Sequence, residues 1–167
     1  MHQKKKKGLR DDRQFFDIVR KISAESDFVQ TEQYIQHGVT TVYQHSLAVA
    51  YYSCWLAEHF HIRVQTEELI RGALLHDYFL YDWHDKNGRH FHGFTHPGCA
   101  MRNASRDFRL TLREKDIIKK HMFPLTIVPP MYREGMLVCF ADKVCSTYET
   151  IHRKRLNWML YHLKWNV

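Results

Sequence analysis

Apolar residues recur at intervals of three and four along most of this chain, which is the spacing of one face of an α-helix. Residues 12–23 show one such stripe, made of Phe15, Ile18, Val19 and Ile22. Only 7 Gly and 4 Pro occur among the 167 residues, so few positions interrupt the pattern. This composition argues against a turn-rich β-sandwich and favours long helices.

The same spacing predicts where the helices lie. They are expected at residues 12–23 and 26–36, from Thr40 or Thr41 to about Phe60, and at residues 66–76, 97–108, 113–122 and about 132–150. Residues 81–95 contain Asn87-Gly88 and little periodicity, which predicts a loop. A length of 167 residues corresponds to one domain of roughly 150 residues. The predicted fold is therefore a single-domain, all-α helical bundle.

Charge is unevenly distributed along the chain. The 25 Lys and Arg exceed the 18 Asp and Glu by 7, and five of the basic residues fall within the first ten positions. We interpret residues 1–10 as a disordered basic arm and residues 11–152 as the helical domain. Residues 153–167 carry Leu156, Met159, Leu160 and Leu163 at helical spacing together with two tryptophans, which predicts a helix that docks on the domain or on a partner. The arm offers only a weak attraction for nucleic acid.

Targeting signals are not recognisable. The N-terminal lysines are followed by charged residues rather than by an apolar segment. The longest apolar stretch, residues 47–57, is much shorter than the roughly 20 residues that span a bilayer. The four cysteines form no C-x-x-C pair. We therefore expect a cytoplasmic protein that does not associate with membranes.

Polar residues interrupt several of the apolar helices. They are His45, His76, Asp77, His96, His121 and Asp142. Burial of such a group without a partner costs several kcal/mol, so each must be paired, hydrogen-bonded or metal-bound. Taken singly, each histidine can be a core residue whose hydrogen bonds are satisfied. Asp77 can cap a helix, and Asp142 can form an ion pair with Arg or Lys. Together, six such positions distributed over several helices can converge at one metal site in a bundle.

The order H…HD…H…H…D resembles the HD-domain superfamily of metal-dependent phosphohydrolases. The local sequences HSLAVA, LLHD, HPGCA and AD, which contain the six residues, agree with that resemblance over about residues 38–145. The resemblance implies an all-helical domain with a metal site at its centre. It also implies hydrolysis of a phosphoester by a metal-bridging hydroxide.

Carried over residue by residue, the resemblance assigns His45, His76, Asp77 and Asp142 to one metal. Asp77, His96 and His121 would hold a second metal, so that Asp77 bridges the two and is catalytic. Imidazole and carboxylate without thiolate suit two divalent transition-metal ions. Iron or manganese is favoured, and zinc, cobalt or nickel also fits.

Two further positions are candidates for contact with the substrate. Lys143 follows Asp142 and can neutralise charge on a phosphate. Neighbouring residues on a helix point about 100° apart, so Lys143 is alternatively a solvent-exposed residue. His92, together with His84 and His90 in the loop, can contact substrate or protonate a leaving group. The alternative is a histidine-rich surface loop. Trp83 and Phe94 can stack on a base or pack under the loop.

The predicted function is hydrolysis of a small nucleotide or other phosphoester. Cyclic-dinucleotide phosphodiesterases of this superfamily carry a lysine at the position of Leu80 and a second histidine at that of Met122, so that substrate is not favoured. Two alternatives stay open: an HD-type di-iron oxygenase, and a non-enzymatic module that binds nucleic acid or a partner. A homodimer is also left open.

Overall fold

A computed structural model describes residue 9 and residues 11–85 and 91–151. The elements in chain order are α1 (Asp12–Glu25), a 3-10 helix (Asp27–Gln33), β1 (Ile35–His37), β2 (Thr40–Thr41), α2 (Val42–His59), α3 (Thr66–Leu75), α4 (His92–Asp107), α5 (Leu112–Lys120) and α6 (Arg133–Ile151). Within these ranges the only sheet is the β1–β2 hairpin. The all-α prediction is confirmed.

Helix α1 forms where its apolar stripe predicts. Asp11 caps its N-terminus by accepting a hydrogen bond from the Gln14 amide at 2.9 Å. Phe15, Val19 and Ile22 on the predicted stripe are buried against the domain, and Ile18 is half-buried. The stripe is thus the face by which α1 joins the core.

The predicted short helix over residues 26–36 is wrong in part. Asp27–Gln33 form a 3-10 helix, and Ile35–His37 pair antiparallel with Thr40–Thr41. Gly38 adopts a φ of 62°, which glycine reaches without steric cost and which turns the chain tightly enough to pair with itself. The hairpin brings the side chains of residues 36 and 37 to the interior cavity described below.

Helix α2 lies at the centre of the molecule and packs against α3 and α6. Thr41 and Gln44 form a capping box at its N-terminus, as the threonine cap predicted. Its buried residues lie on most of its faces, in agreement with its high apolar content. One polar residue in its first turn, His45, is fully buried and belongs to the site.

Helices α3 and α5 approach closely where Gly72 faces Ile117, and a Cβ at Gly72 would overlap the isoleucine side chain. Both helices end at the same interior region. His76 directly follows the last residue of α3, and His121 directly follows α5. The close packing therefore brings two of the predicted ligands towards each other.

Helix α4 begins at His92, five residues before the predicted start at Pro97, so the predicted loop over residues 81–95 is too long. Phe91 occupies the N-cap position with a φ of 61° and supplies no side-chain cap, so the helix start lacks the usual sequence signal. Pro97 lies in the second turn rather than the first, where proline is most common.

None of the helices over the described residues is long and apolar enough to cross a membrane.

Leu9 is buried, and its amide donates to the Tyr51 hydroxyl at 3.3 Å. Apart from Leu9, the predicted basic arm lies outside the described residues, as does the predicted helix over 153–167.

Candidate metal centre

The six polar residues predicted to converge lie together in the interior. Each is at most 7% exposed, although they come from α2, the ends of α3 and α5, the second turn of α4, and the middle of α6. They are His45, His76, Asp77, His96, His121 and Asp142. Helix packing therefore joins positions that span nearly a hundred residues of sequence.

Asp77 lies between two groups of histidines. Its Oδ2 atom is 3.4 Å from His76 Nε2 and 3.8 Å from His45 Nε2. Its Oδ1 atom is 3.1 Å from His96 Nε2 and 3.5 Å from His121 Nε2. One carboxylate thus directs one oxygen towards each of two neighbouring pairs of histidines.

The carboxylate-rich half of the centre consists of His45, His76, Asp142 and the Oδ2 atom of Asp77. The ligand atoms of His45, His76 and Asp142 lie within 4.8 Å of one another. His45 Nε2 is 3.1 Å from Asp142 Oδ1, and His45 Nδ1 is 2.9 Å from Glu149 Oε2. Burial lowers the pKa of His45, but the two carboxylates outweigh burial and hold that pKa well above its ordinary value.

The imidazole-rich half consists of His96, His121 and the Oδ1 atom of Asp77. The two Nε2 atoms are 2.8 Å apart. Burial, together with His76 and His96, lowers the pKa of His121 to about 3. Burial also lowers the pKa of His96, but the Asp77 carboxylate outweighs it and raises that pKa overall. The two imidazoles of this half therefore differ in their affinity for a proton, which is raised at His96 and lowered at His121.

Three of the histidines are oriented by the backbone. The Nδ1 atoms of His76, His96 and His121 lie at 2.6, 2.8 and 3.0 Å from the carbonyl oxygens of residues 73, 92 and 118. A ring that donates through Nδ1 presents Nε2 to the centre, and this is the usual way in which proteins orient metal-binding imidazoles.

Two central atoms test whether a metal fits. Within the described part of the chain, His76 Nε2 and Asp77 Oδ1 are buried and make no hydrogen bond of regular geometry, although each lies in one of the imidazole–carboxylate contacts given above. Buried polar atoms that lack a regular hydrogen bond are costly, and a cation bound here would satisfy both atoms. The surrounding imidazoles and carboxylates are ligands that divalent transition metals accept. The residues present therefore fit such ions.

Sequence reasoning missed two buried residues at this centre. Gln36 on β1 donates from Nε2 to Asp77 Oδ2 at 2.5 Å, and Glu149 on α6 contacts His45. Glu149 follows Asp142 by seven residues, so both lie on one face of α6, and this spacing was a usable signal. No local pattern marks Gln36, because its contact depends on how the hairpin meets the end of α3.

A cavity of about 940 Å³ opens onto the centre. Its walls include aromatic, apolar and polar side chains from the hairpin, the start of α4, the segment after α5, and α6. Among them are Gln36, His37, Trp83, Phe91, His92, Met122, Leu125, Lys143 and Thr147. The predicted substrate residues His92 and Lys143 therefore both lie beside the ligand cluster.

His92 is held by its neighbours in this wall. Tyr81 Oη is 3.0 Å from its Nδ1 atom, and its ring stacks between Trp83 and His96 at centroid distances of 4.9 and 4.6 Å. Burial and the nearby His96 lower the pKa of His92 to about 4, so the ring is neutral at pH 7. His84 and Phe94 are exposed and are not part of the cavity wall; His90 lies outside the described residues.

Lys143 is half-buried and donates from Nζ to the carbonyl oxygens of His121 and Cys139 at 3.0 and 3.2 Å. Lys143 is among the residues that line the cavity. Lys143 is therefore not the fully exposed residue that its position next to Asp142 on the helix allowed. Its predicted action on a phosphate stays a prediction.

Comparison with protein families identifies the class. The family model described as HD domain matches residues 42–147, which is more than half of the chain and contains all six clustered residues. The chain belongs to the HD domain family, and this family places it in the superfamily of metal-dependent phosphohydrolases. No curated protein and no solved structure matches the chain.

Proposed function

We propose that this protein hydrolyses a small nucleotide or other phosphoester with the aid of two divalent transition-metal ions. The observation that carries this proposal is the position of Asp77. Its Oδ2 atom faces one pair of buried histidines at 3.4 and 3.8 Å, and its Oδ1 atom faces another pair at 3.1 and 3.5 Å. A carboxylate in this orientation can bridge two ions.

The two halves of the centre would each hold one ion. His45, His76 and Asp142 with Asp77 hold the first. Asp77, His96 and His121 hold the second, and iron or manganese is the favoured metal. When bound, two such ions act as Lewis acids that lower the pKa of water and neutralise phosphate oxygens during displacement.

The residues of the chain supply orientation. Gln36 fixes Oδ2 of Asp77, so the two oxygens of that carboxylate stay directed at different halves. The carbonyl-bound histidines keep their Nε2 atoms at the centre without rearrangement. Such preorganisation reduces the cost of aligning a substrate with the groups that act on it.

The cavity wall would bind the substrate. Neutral His92 offers a ring nitrogen beside the centre, and Trp83 stacked on it offers a flat apolar surface for a base or another planar group. Lys143, which also lines the cavity, adds positive charge that attracts a phosphate. These contacts accommodate a phosphoester that is small enough for a cavity of about 940 Å³.

Metal analysis followed by turnover tests the proposal. Protein loaded with manganese or iron should contain about two ions per chain and hydrolyse members of a panel of nucleotides and an aryl phosphate. Asp77→Ala should retain its helical circular dichroism and lose hydrolysis. Asp107→Ala is the matched control, because Asp107 pairs with Tyr78 and Arg106 away from the centre.

Other outcomes would replace the proposal. A wild-type protein that binds no transition metal contradicts it directly. A mixed-valent iron signal with oxygen consumption and no hydrolysis would indicate a di-iron oxygenase. Salt-sensitive RNA binding without turnover, lost on removal of residues 1–10, would indicate a binding module.

A further inference from the structure

Glu149 is a buried carboxylate to which no catalytic or ligand role has been given. It is 1% exposed and lies on α6, two turns after Asp142. Its Oε2 atom is 2.9 Å from His45 Nδ1, a contact between residues 104 positions apart. Its Oε1 atom has no hydrogen-bond partner among the described residues.

His45 differs from the other clustered histidines in this contact. His76, His96 and His121 place Nδ1 against a backbone carbonyl, whereas His45 places Nδ1 against a charged carboxylate. A carboxylate that accepts from Nδ1 of a metal-binding imidazole fixes the orientation of the ring. It also makes Nε2 a stronger metal ligand than a backbone carbonyl at the same position would.

We infer that Glu149 is a positioning residue that acts through His45 and strengthens metal binding in the carboxylate-rich half of the centre. This inference rests on the proposed metal centre. Glu149 would hold the Nδ1 proton of His45, direct Nε2 at the ion, and make this half bind its metal more tightly than the imidazole-rich half.

The charge balance supports this role. Two divalent ions bring four positive charges, and the ligand carboxylates Asp77 and Asp142 bring only two negative ones. Glu149 adds a third negative charge within one imidazole of the ions. Charges interact strongly at such short range in a poorly solvated interior, so the added carboxylate stabilises the loaded centre.

A separate metal site at Glu149 is a weaker interpretation. His37, His45 and Glu149 have ligand atoms within 4.8 Å of one another, which is close enough to hold an ion. A third divalent ion would raise the positive charge to six against three carboxylates. His45 would also have to give up the Nδ1 proton that faces Glu149. The observed contact therefore favours a positioning role.

Metal titration of Glu149→Gln tests the inference. Glutamine keeps an oxygen that accepts from His45 Nδ1 and removes only the charge. Calorimetric titration of the full-length, metal-free protein with Mn²⁺ should show one of two sites weakened about 10–100-fold and the other unchanged. The matched control is Glu134→Gln on the same helix, because Glu134 is also buried but accepts from the Gln65 amide at 2.8 Å.

A second measurement on the wild-type protein does not depend on any variant folding. In protein loaded with Zn²⁺, which is diamagnetic, ¹⁵N NMR should show His45 protonated at Nδ1 and metal-bound through Nε2. Metal binding through Nδ1 of His45 would overturn the inference. So would Mn²⁺ affinities of Glu149→Gln equal to those of the wild type at both sites. If the wild-type protein binds no Mn²⁺, the proposed metal centre itself is wrong. If the wild type binds two ions and Glu149→Gln binds them with the same affinities, only the role of Glu149 is wrong.

Discussion

The two halves of the candidate centre are equally buried, but the pKa of a histidine is raised in one half and lowered in the other. His45 and His121 are 0% and 1% exposed. Carboxylates from Asp142 and Glu149 hold the pKa of His45 well above its ordinary value despite burial. Burial and neighbouring imidazoles lower the pKa of His121 to about 3. The neighbouring charges therefore decide how a buried histidine in this protein titrates.

The difference bears on how each half takes a cation. Without metal, His45 carries a proton between two carboxylates, so an ion must displace that proton from Nε2. His121 has no proton to release from Nε2, because its neutral ring already presents a lone pair to His96. The carboxylate-rich half offers more negative charge, and the imidazole-rich half offers a nitrogen that is ready to bind.

Substitution of one predicted ligand in either half should have the largest effect on metal content and hydrolysis. Asp142→Asn and His121→Gln should each leave about one ion per chain. Hydrolysis should fall by more than about 100-fold in each, since loss of an outer-shell partner alone costs about 10–100-fold. Elemental analysis and initial rates check this. Retention of two ions in both variants would show that the two halves do not bind separate metals.

The stability of metal-free protein should depend on pH with opposite signs at the two histidines. Because the pKa of His121 is lowered to about 3, the unfolded chain binds more protons between pH 3 and 6.5, and stability falls with acidification through that range. Because the pKa of His45 is raised, its contribution is fully present below about pH 6.5 and is lost as pH rises through its higher folded pKa.

Urea denaturation of chelator-treated protein from pH 5 to 9 measures both effects. His121→Gln should flatten the loss between pH 6.5 and 5, which is on the order of 2 kcal/mol for a ring that stays neutral in the folded protein. His45→Gln should flatten the loss above pH 6.5. His84→Gln, at an exposed position, serves as the control. Identical pH profiles for the two core variants would contradict the assignment of opposite proton affinities.

The smallest effect is expected at the cavity wall, outside both halves. Tyr81→Phe removes the hydroxyl that contacts His92 Nδ1, a contact worth about 1 kcal/mol. It should raise KM by roughly 5-fold, and His92→Ala by about 10-fold. Metal content should stay at about two ions, because His96 is oriented by the backbone carbonyl of residue 92 rather than by its ring. Loss of metal in either variant would place His92 in the centre itself.

Local sequence determined much of the architecture. The apolar stripe of α1, the threonine cap of α2 and the break at Gly38 each depend on residues within a few positions, so spacing alone predicts them. The six polar residues were recognisable because a histidine or aspartate inside an apolar helix needs a partner. Their order along the chain matched one family, and the family comparison confirms it.

Tertiary packing decided the rest. The contacts that orient the centre join elements that are distant in sequence. Asp77 contacts Gln36 across 41 residues, and Glu149 contacts His45 across 104 residues. The two oxygens of Asp77 likewise face histidines from different helices. The start of α4 at His92 likewise lacks a capping side chain that spacing could reveal. Helical periodicity tells which residues share a face, but it carries no information about the neighbour that the face meets. Which atoms of this centre meet therefore depends on how α2, α3, α5 and α6 pack together.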